Sequence, residues 1–307
     1  MKLTLVGDLH LRGSSPRSRT DNFPDAQYDK FWQVLALTEP RNDIILQAGD
    51  FFDSSSVGNA TLNRYIDHLY RCVDHDCGSY LYTVFGQHDM YMWNLKHMHK
   101  TSLGTLIYAG LVQLLYEKVS HVPCEDNLEL YGASWGQEVP KPAANSKFKV
   151  LVVHGSIGDV PLFPGHAIDH PKKFVRKHPG YDLILCGDYH YPFEYRVGDT
   201  LIINPGALCR QSLAEKDIVP SVVVYDMESQ RAQWHQLEYA KDVFVTNTEV
   251  KTEFARTQLE DFVKQLENKD EISISFANNV RIALNTAEVS ELAKSKILEV
   301  LTQCEMR

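Results

Sequence analysis

The chain has 307 residues, 44% of them hydrophobic and 23% charged, which is enough for one large globular core plus a smaller appended unit and is the composition of an ordinary soluble protein. Its formal net charge of −9 excludes a protein that grips nucleic acid by broad electrostatic attraction, although bound dications and a local basic loop can supply a positive field that the total hides. The apolar run in MKLTLVGDLH is too short for a signal peptide or a membrane span, so the expected location is cytoplasmic, the host cytoplasm for a viral chain, with no membrane association.

In chain order, KLTLVGD, DIILQAGD, SYLYTVFG, KVLVVHG and YDLILCGD are short aliphatic runs, each ending in Gly or a polar residue. They predict buried strands with functional groups at their C-terminal tips. Between the first three, residues 28–37 and 61–73 carry helical periodicity. The resulting β-α-β-α-β order requires crossover connections and an α/β fold, in which ligands bind at the strand tips. From about Asn204 the pattern shifts, with Asn204-Pro205-Gly206 as a tight turn and SVVVYDM and RAQWHQLEY as an antiparallel hairpin that closes the main unit. A charge-rich stretch at 239–242 marks the expected boundary between a catalytic domain, 1–240, and a small α+β unit, 241–307. That unit would contain VFVTNTEV, a helix near 253–266, strands EISISF and NVRIALN, and a last helix at 287–301. Cys72, Cys77, Cys124, Cys186, Cys209 and Cys304 lack CxxC spacing and read as reduced thiols.

Five strand tips carry metal-ligand residue types in sequence: Asp8 and His10, then Asp50, then Gln87 and His88, then His154, then Asp188 and His190. Strand alternation lets Asp8 and His10, or Asp188 and His190, point the same way and grip one ion together. Two dications roughly 3.5–4 Å apart can clamp a phosphoryl group and generate hydroxide. Their mutual repulsion needs a bridging carboxylate, and Asp50 in GDFFD is the natural candidate. In isolation Asp8 and Asp50 would be ordinary helix caps and His154 a hydrogen-bonded core histidine; the agreement of the other tips favours ligands. Asp53 and Asp89 each follow a ligand motif, from where they can orient a coordinating histidine or close an Asx-turn. Arg12, Arg17 and Arg19 lie in the loop behind His10, where they can hold phosphates of a nucleic acid next to the cations or belong to a solvated polar loop. His97, His99, His166, His170 and His178 have no matching partner and read as surface residues.

Taken together, GDLH, GDFFD, GQHD, VHG and GDYH resemble the five motifs of calcineurin-like metallophosphoesterases over roughly the first two-thirds of the chain. The aromatic GDFFD and the long arm after GDLH most resemble nucleases of the SbcD and Mre11 type, including their phage relatives. The resemblance implies a layered sheet sandwich flanked by helices, with a small C-terminal α+β cap. It implies that Asp8, His10 and His190 hold a first metal, that Asp50 bridges, and that Gln87, His154 and Asp188 hold a second. His88 would be the general acid, or the positive donor to the leaving oxygen. Two positions depart from the family, which usually has Asn at Gln87 and His at Asp188. Glutamine coordinates only if the local backbone retreats, and Asp188 shifts the second site towards hard oxygen ligands, hence Mn²⁺ or Mg²⁺ before Zn²⁺. The activity so implied is manganese-dependent hydrolysis of DNA, exo- or endonucleolytic, in repair and recombination. Such nucleases work with a Rad50- or SbcC-like ABC ATPase, for which 287–301 is the first surface to consider; a homodimer is compatible. The same metal cluster also serves phosphatases and small-molecule phosphodiesterases, while retention of His88 and the first-site ligands argues against a decayed scaffold.

Overall fold

The computed structural model describes residues 1–37, 43–73, 80–119, 125–162 and 166–245. Two six-stranded sheets carry the fold. In the first, β1 (Lys2–Val6), β2 (Ile44–Gln47), β3 (Tyr80–Thr83) and β4 (Gln113–Leu114) run parallel. The hairpin of β11 (Ser221–Asp226) and β12 (Arg231–Gln236) adds antiparallel to the other side of β1. In the second sheet, β6 (Leu128–Ala133), β7 (Phe148–His154), β8 (Leu183–Gly187) and β10 (Thr200–Asn204) are parallel. Its edges, β5 (Glu117–Val119) and β9 (Phe193–Val197), are antiparallel.

Strand alternation builds the layers. Leu3, Leu5, Ile44 and Leu46 of the first sheet meet Leu130, Val150, Val152, Leu183 and Leu185 of the second in one apolar core. The opposite faces turn outward: Ile45 and Val6 pack with Phe31 and Val34 of α1 (Phe23–Ala36) and with Tyr65 and Leu69 of α2 (Asn59–Val73). Leu151, Val153 and Ile184 pack with Phe174 and Val175 of a short helix, Pro171–Lys177. Continuous apolar runs are therefore needed in the central strands, because both faces of each sheet are covered. The α/β sandwich expected from the sequence is the one observed.

Helix α1 begins five residues before the periodic stretch at 28, since Asn22 caps it through Asp25 N–H and Pro24 occupies its first turn. Strands β4, β5, β6, β9 and β10 and the short helices Ser102–Tyr108 and Pro171–Lys177 are not among the elements that the sequence patterns predict. Residues 243–245 return to the arm behind β1, where Thr20 N–H donates to the Val243 carbonyl and Val245 N–H to that of Ser18, each at 2.9 Å. The first unit accordingly runs Met1–Val245, a little past the boundary expected at 240. The strands expected at EISISF and NVRIALN, the helices expected at 253–266 and 287–301, and residues 246–250 of VFVTNTEV lie outside the described residues. Among the described residues, no helix is long and apolar enough to cross a membrane, and Cys186 and Cys209 are free, buried thiols.

Candidate metal centre

All five motif tips lie at the C-terminal ends of parallel strands, β1, β2 and β3 from one sheet and β7 and β8 from the other. The backbone there is forced: His10, Asp50 and Asp188 hold φ of 46°, 50° and 85°, a left-handed region that costs a non-glycine residue free energy and collects at functional sites. Two motif glycines let the carboxylates sit against the tips. A Cβ on Gly86 would lie 2.0 Å from Asp50 Oδ1, and one on Gly187 would lie 2.5 Å from Asp8 Oδ1.

One half of the centre is made by Asp8, His10 and His190, which offer ligand atoms all within 4.8 Å of one another. His10, Asp50 and His88 form an overlapping group whose ligand atoms also lie within 4.8 Å of one another. His10 Nε2 stands 3.1 Å from His190 Nε2 and 3.7 Å from Asp50 Oδ2, and His190 Nε2 stands 3.6 Å from Asp8 Oδ2. The His190 Nδ1–H donates to Glu215 Oε1 at 2.8 Å, which leaves a lone pair on Nε2 of the neutral ring pointing at His10. His10 Nδ1 is buried without a hydrogen-bond partner among the described residues and lies 3.8 Å from Asp53 Oδ1. Imidazole nitrogens facing each other between two carboxylates are the donor set of a cation, so these residues fit a metal.

The other half is wired differently. His154 Nδ1–H donates to the Ala48 carbonyl at 2.6 Å, and its Nε2 lies 2.8 Å from Gln87 Oε1 and 3.5 Å from Asp50 Oδ2. Gln87 Nε2 donates to Asp188 Oδ1 and Ser156 Oγ to Asp188 Oδ2, both at 2.7 Å. The longer glutamine stem therefore does reach the centre. With the His154 Nδ1 proton on Ala48, Nε2 of the neutral ring and Gln87 Oε1 are two acceptors in contact, and only a proton or a cation reconciles them.

Electrostatics say the same. Burial disfavours a charged His154, yet Asp50, Asp8 and Asp188 outweigh it and lift its pKa to about 10. His190 is likewise raised to about 9 against its burial, by the Glu215 hydrogen bond and by Asp8. Burial pushes Asp8 up to about 7, opposed by His154 and His190. Asp50 is held well below the ordinary carboxylate range: its burial works the other way but is overcome by His154, His10 and His88. Burial takes His10 down to about 3, against the pull of Asp50. The pocket is a negative cage that demands positive charge.

His88 sits on the exposed rim. Its backbone N–H donates to Asp50 Oδ1 at 2.9 Å, its Nδ1 lies 2.9 Å from the Asp53 carbonyl, and its ring meets that of His10 edge to face at 4.8 Å. Donation from Nδ1 to that carbonyl fixes the tautomer and leaves Nε2 for chemistry. Asp53 bonds Arg12 Nη1 at 2.9 Å and lies 3.8 Å from His10 Nδ1, between the arm and the centre. Among the described residues no hydrogen bond or ion pair joins the Asp89 carboxylate to a histidine, which corrects one of its two expected roles. Nor is it a local turn former: its buried carboxylate accepts from the N–H groups of Phe51, Phe52 and Gly86 at 2.9–3.1 Å and ties two ligand loops together. Arg19 needs correction as a phosphate binder. Its side chain is 4% exposed, forks onto Asp21 and lies over the rings of Phe23 and Phe244; a guanidinium satisfied in this way is structural. Arg12 is half-buried and Arg17 exposed, and none of the five histidines expected at the surface is buried.

Three supports were missed. Gln27, fully buried on α1, donates to the carbonyls of Leu9 and His10 and accepts from Arg12 N–H, which holds the left-handed turn at His10. Glu215 fixes the His190 tautomer, and its own signal was the capping box Ser212-x-x-Glu215. Ser156 had none. The Asn204-Pro205-Gly206 turn is structural as expected: Asn204 Nδ2 bonds the Tyr189 carbonyl, and just beyond the turn Leu208 N–H donates to Asp8 O at 2.8 Å.

Residues 1–230 match the calcineurin-like phosphoesterase superfamily domain, and the chain belongs to that superfamily. The dinuclear metal site usual in the superfamily has candidate ligand clusters in this chain. Similar solved structures include an archaeal phosphodiesterase, 15% identical over 77% of this chain and 100% of its own, with a TM-score of 0.40. A putative 5'-nucleotidase from Staphylococcus aureus is 15% identical over 85% of this chain and 58% of its own, TM-score 0.39. Vacuolar Protein Sorting 29 from Cryptosporidium parvum is 16% identical over 78% and 98%, TM-score 0.37. At these scores the likenesses carry no argument about activity.

Proposed function

We propose that the protein is a two-metal phosphodiesterase whose substrate is DNA. The observation that carries the metal chemistry is the pair of imidazole nitrogens of His10 and His190, 3.1 Å apart between the carboxylates of Asp8 and Asp50. In this reading Asp8, His10 and His190 hold the first ion, Asp50 is shared, and Gln87, His154 and Asp188 hold the second. Three carboxylates among these donors favour Mn²⁺ or Mg²⁺. Bound there, the ions supply Lewis acidity and lower the pKa of water. Glu215 keeps the His190 ring in position, and His88, its Nδ1 tethered to the Asp53 carbonyl, protonates the departing sugar oxygen from Nε2. DNA as the substrate, a C-terminal cap beyond residue 240, and a Rad50- or SbcC-like ATPase partner are supported by the likeness of the motifs to SbcD- and Mre11-type nucleases. An ATPase of that kind should stimulate cleavage when added.

A second reading, a small organic phosphodiester as substrate, is favoured by one feature. A cavity of about 1070 Å³ lined by Trp135, Pro140, Phe174 and Tyr181 shares His154 with the metal centre, and apolar cavities of roughly that size take small molecules. Hydrolysis of linear DNA and of bis-p-nitrophenyl phosphate, each with Mn²⁺, Mg²⁺ or EDTA and beside His88→Ala, separates the two. Metal-dependent cleavage of both substrates, lost in the variant, is the expected result. Cleavage of the small ester alone transfers the assignment to the second reading, and silence on both defeats the catalytic one.

A further inference from the structure

Directly after His88 and Asp89 the chain makes two 3-10 turns, Tyr91–Trp93 and Leu95–Lys100. Met92 and Trp93 are consecutive non-glycine residues in the left-handed region, at φ 53° and 50°. Both side chains point into solvent, 70% and 78% exposed. A strained backbone that holds two large apolar groups in water stabilises nothing in the free protein. These two side chains also line a pocket of about 300 Å³ together with Asp53, Ser55, Gln87 and His88, so the exposed pair is continuous with the metal centre. The local charge is opposite to that of the molecule. Residues 90–100 contain Lys96, Lys100, His97 and His99 and no acid, in a chain of net charge −9. Lys100 Nζ lies 5.2 Å from the centre of the Tyr91 ring, and Asp53, the acid of the pocket, is paired with Arg12.

We propose that Met92 and Trp93 form a stacking platform for an unpaired nucleobase next to the scissile phosphate, with Lys96 and Lys100 attracting the flanking phosphates. This rests on the DNA reading above and sharpens it: the preferred substrate is a single strand or a frayed end. An aromatic face beside basic groups binds single strands with little regard to sequence, since every base has a π-face. A duplex, with its bases stacked on one another, offers such a face only at its ends.

The test is equilibrium binding of a fluorescent single-stranded oligonucleotide, in EDTA and again in Ca²⁺, so that no turnover is required. Trp93→Ala should weaken binding roughly tenfold or more, while Trp93→Tyr keeps most of it. Trp32→Ala removes another exposed tryptophan, one that lies on α1, and should bind as the unaltered protein does. Wild-type protein should prefer the single strand to a blunt duplex of the same length. Equal binding by Trp93→Ala and wild type, as a protein-docking role for the tip would give, overturns the proposal, as does absence of wild-type binding under both conditions. Circular dichroism on each variant keeps a folding defect apart. Hydrolysis of bis-p-nitrophenyl phosphate by the wild type reports separately on the metal centre, so failure of catalysis and failure of the platform are distinguishable.

Discussion

The two halves of the metal centre use the same kinds of side chain to opposite effect. Around Asp8, His10 and His190 the two imidazole Nε2 atoms converge at 3.1 Å, Glu215 holds His190 at 2.8 Å, and Asp53 lies 3.8 Å from His10. Around Gln87, His154 and Asp188 the carboxylate is tied up: both Asp188 oxygens accept hydrogen bonds, one from Gln87 Nε2 and one from Ser156 Oγ. A half whose imidazole nitrogens already converge is preorganised for a cation, whereas the other must give up the hydrogen bonds on Asp188 to accept one. The first half should therefore fill at lower metal concentration than the second, and calorimetric titration with Mn²⁺ should show two phases.

The largest effect that can break this comparison is removal of the residue common to both halves. Asp50→Ala should abolish metal uptake and activity together, because Asp50 Oδ2 is 3.7 Å from His10 and 3.5 Å from His154; retained turnover would sink the shared role. Next, His88→Ala should lower kcat by about 10²–10⁴-fold while the titration keeps both phases. Glu215→Gln should weaken only the tighter phase, by about 10–100-fold. Ser156→Ala is the sharper probe of the second half. It removes the donor to Asp188 Oδ2, a bond whose net contribution is about 1 kcal/mol. If that bond competes with metal, the weaker phase tightens about fivefold; a weaker second phase would show that it orients the ligand instead.

The smallest effect is in the metal-free protein. His190 is raised from 6.5 to about 9 beside Glu215, and Glu215 is lowered from 4.5. The raised histidine contributes stability that is full below pH 6.5 and lost as pH rises through about 9. The lowered carboxylate contributes stability that is present above 4.5 and lost as pH falls below it. In EDTA the Tm advantage of wild type over Glu215→Gln should thus be greatest between these limits and shrink as pH rises towards 9. An advantage that persists unchanged beyond pH 9 would show that the pair is not ionic.

The fold was legible where strands are buried on both faces. Runs such as DIILQAGD and YDLILCGD mark themselves by composition, and each hands a polar residue to the same edge of a sheet. Strands β6 and β10 are as buried, but LELYGA carries a glutamate inside the run and neither strand ends in an Asp or a His. Helix α1 starts before its apolar periodicity does, because the start is set by the Asn22 cap and by Pro24 and not by the buried face.

The sequence by itself determined which residues stand at the strand tips and in what order, because strand burial and the Gly-Asp ends are local properties of a few consecutive residues. Tertiary structure alone decided what stands behind them. Gln27 holds the turn at His10 from 17 residues away, Glu215 holds His190 from 25, and Asp89 reaches Phe52 across 37. It also turned Arg19 inward onto Asp21 and left Met92 and Trp93 in solvent. A buried polar group takes whatever partner packing brings within about 3 Å, and no local pattern of residue types encodes that distance.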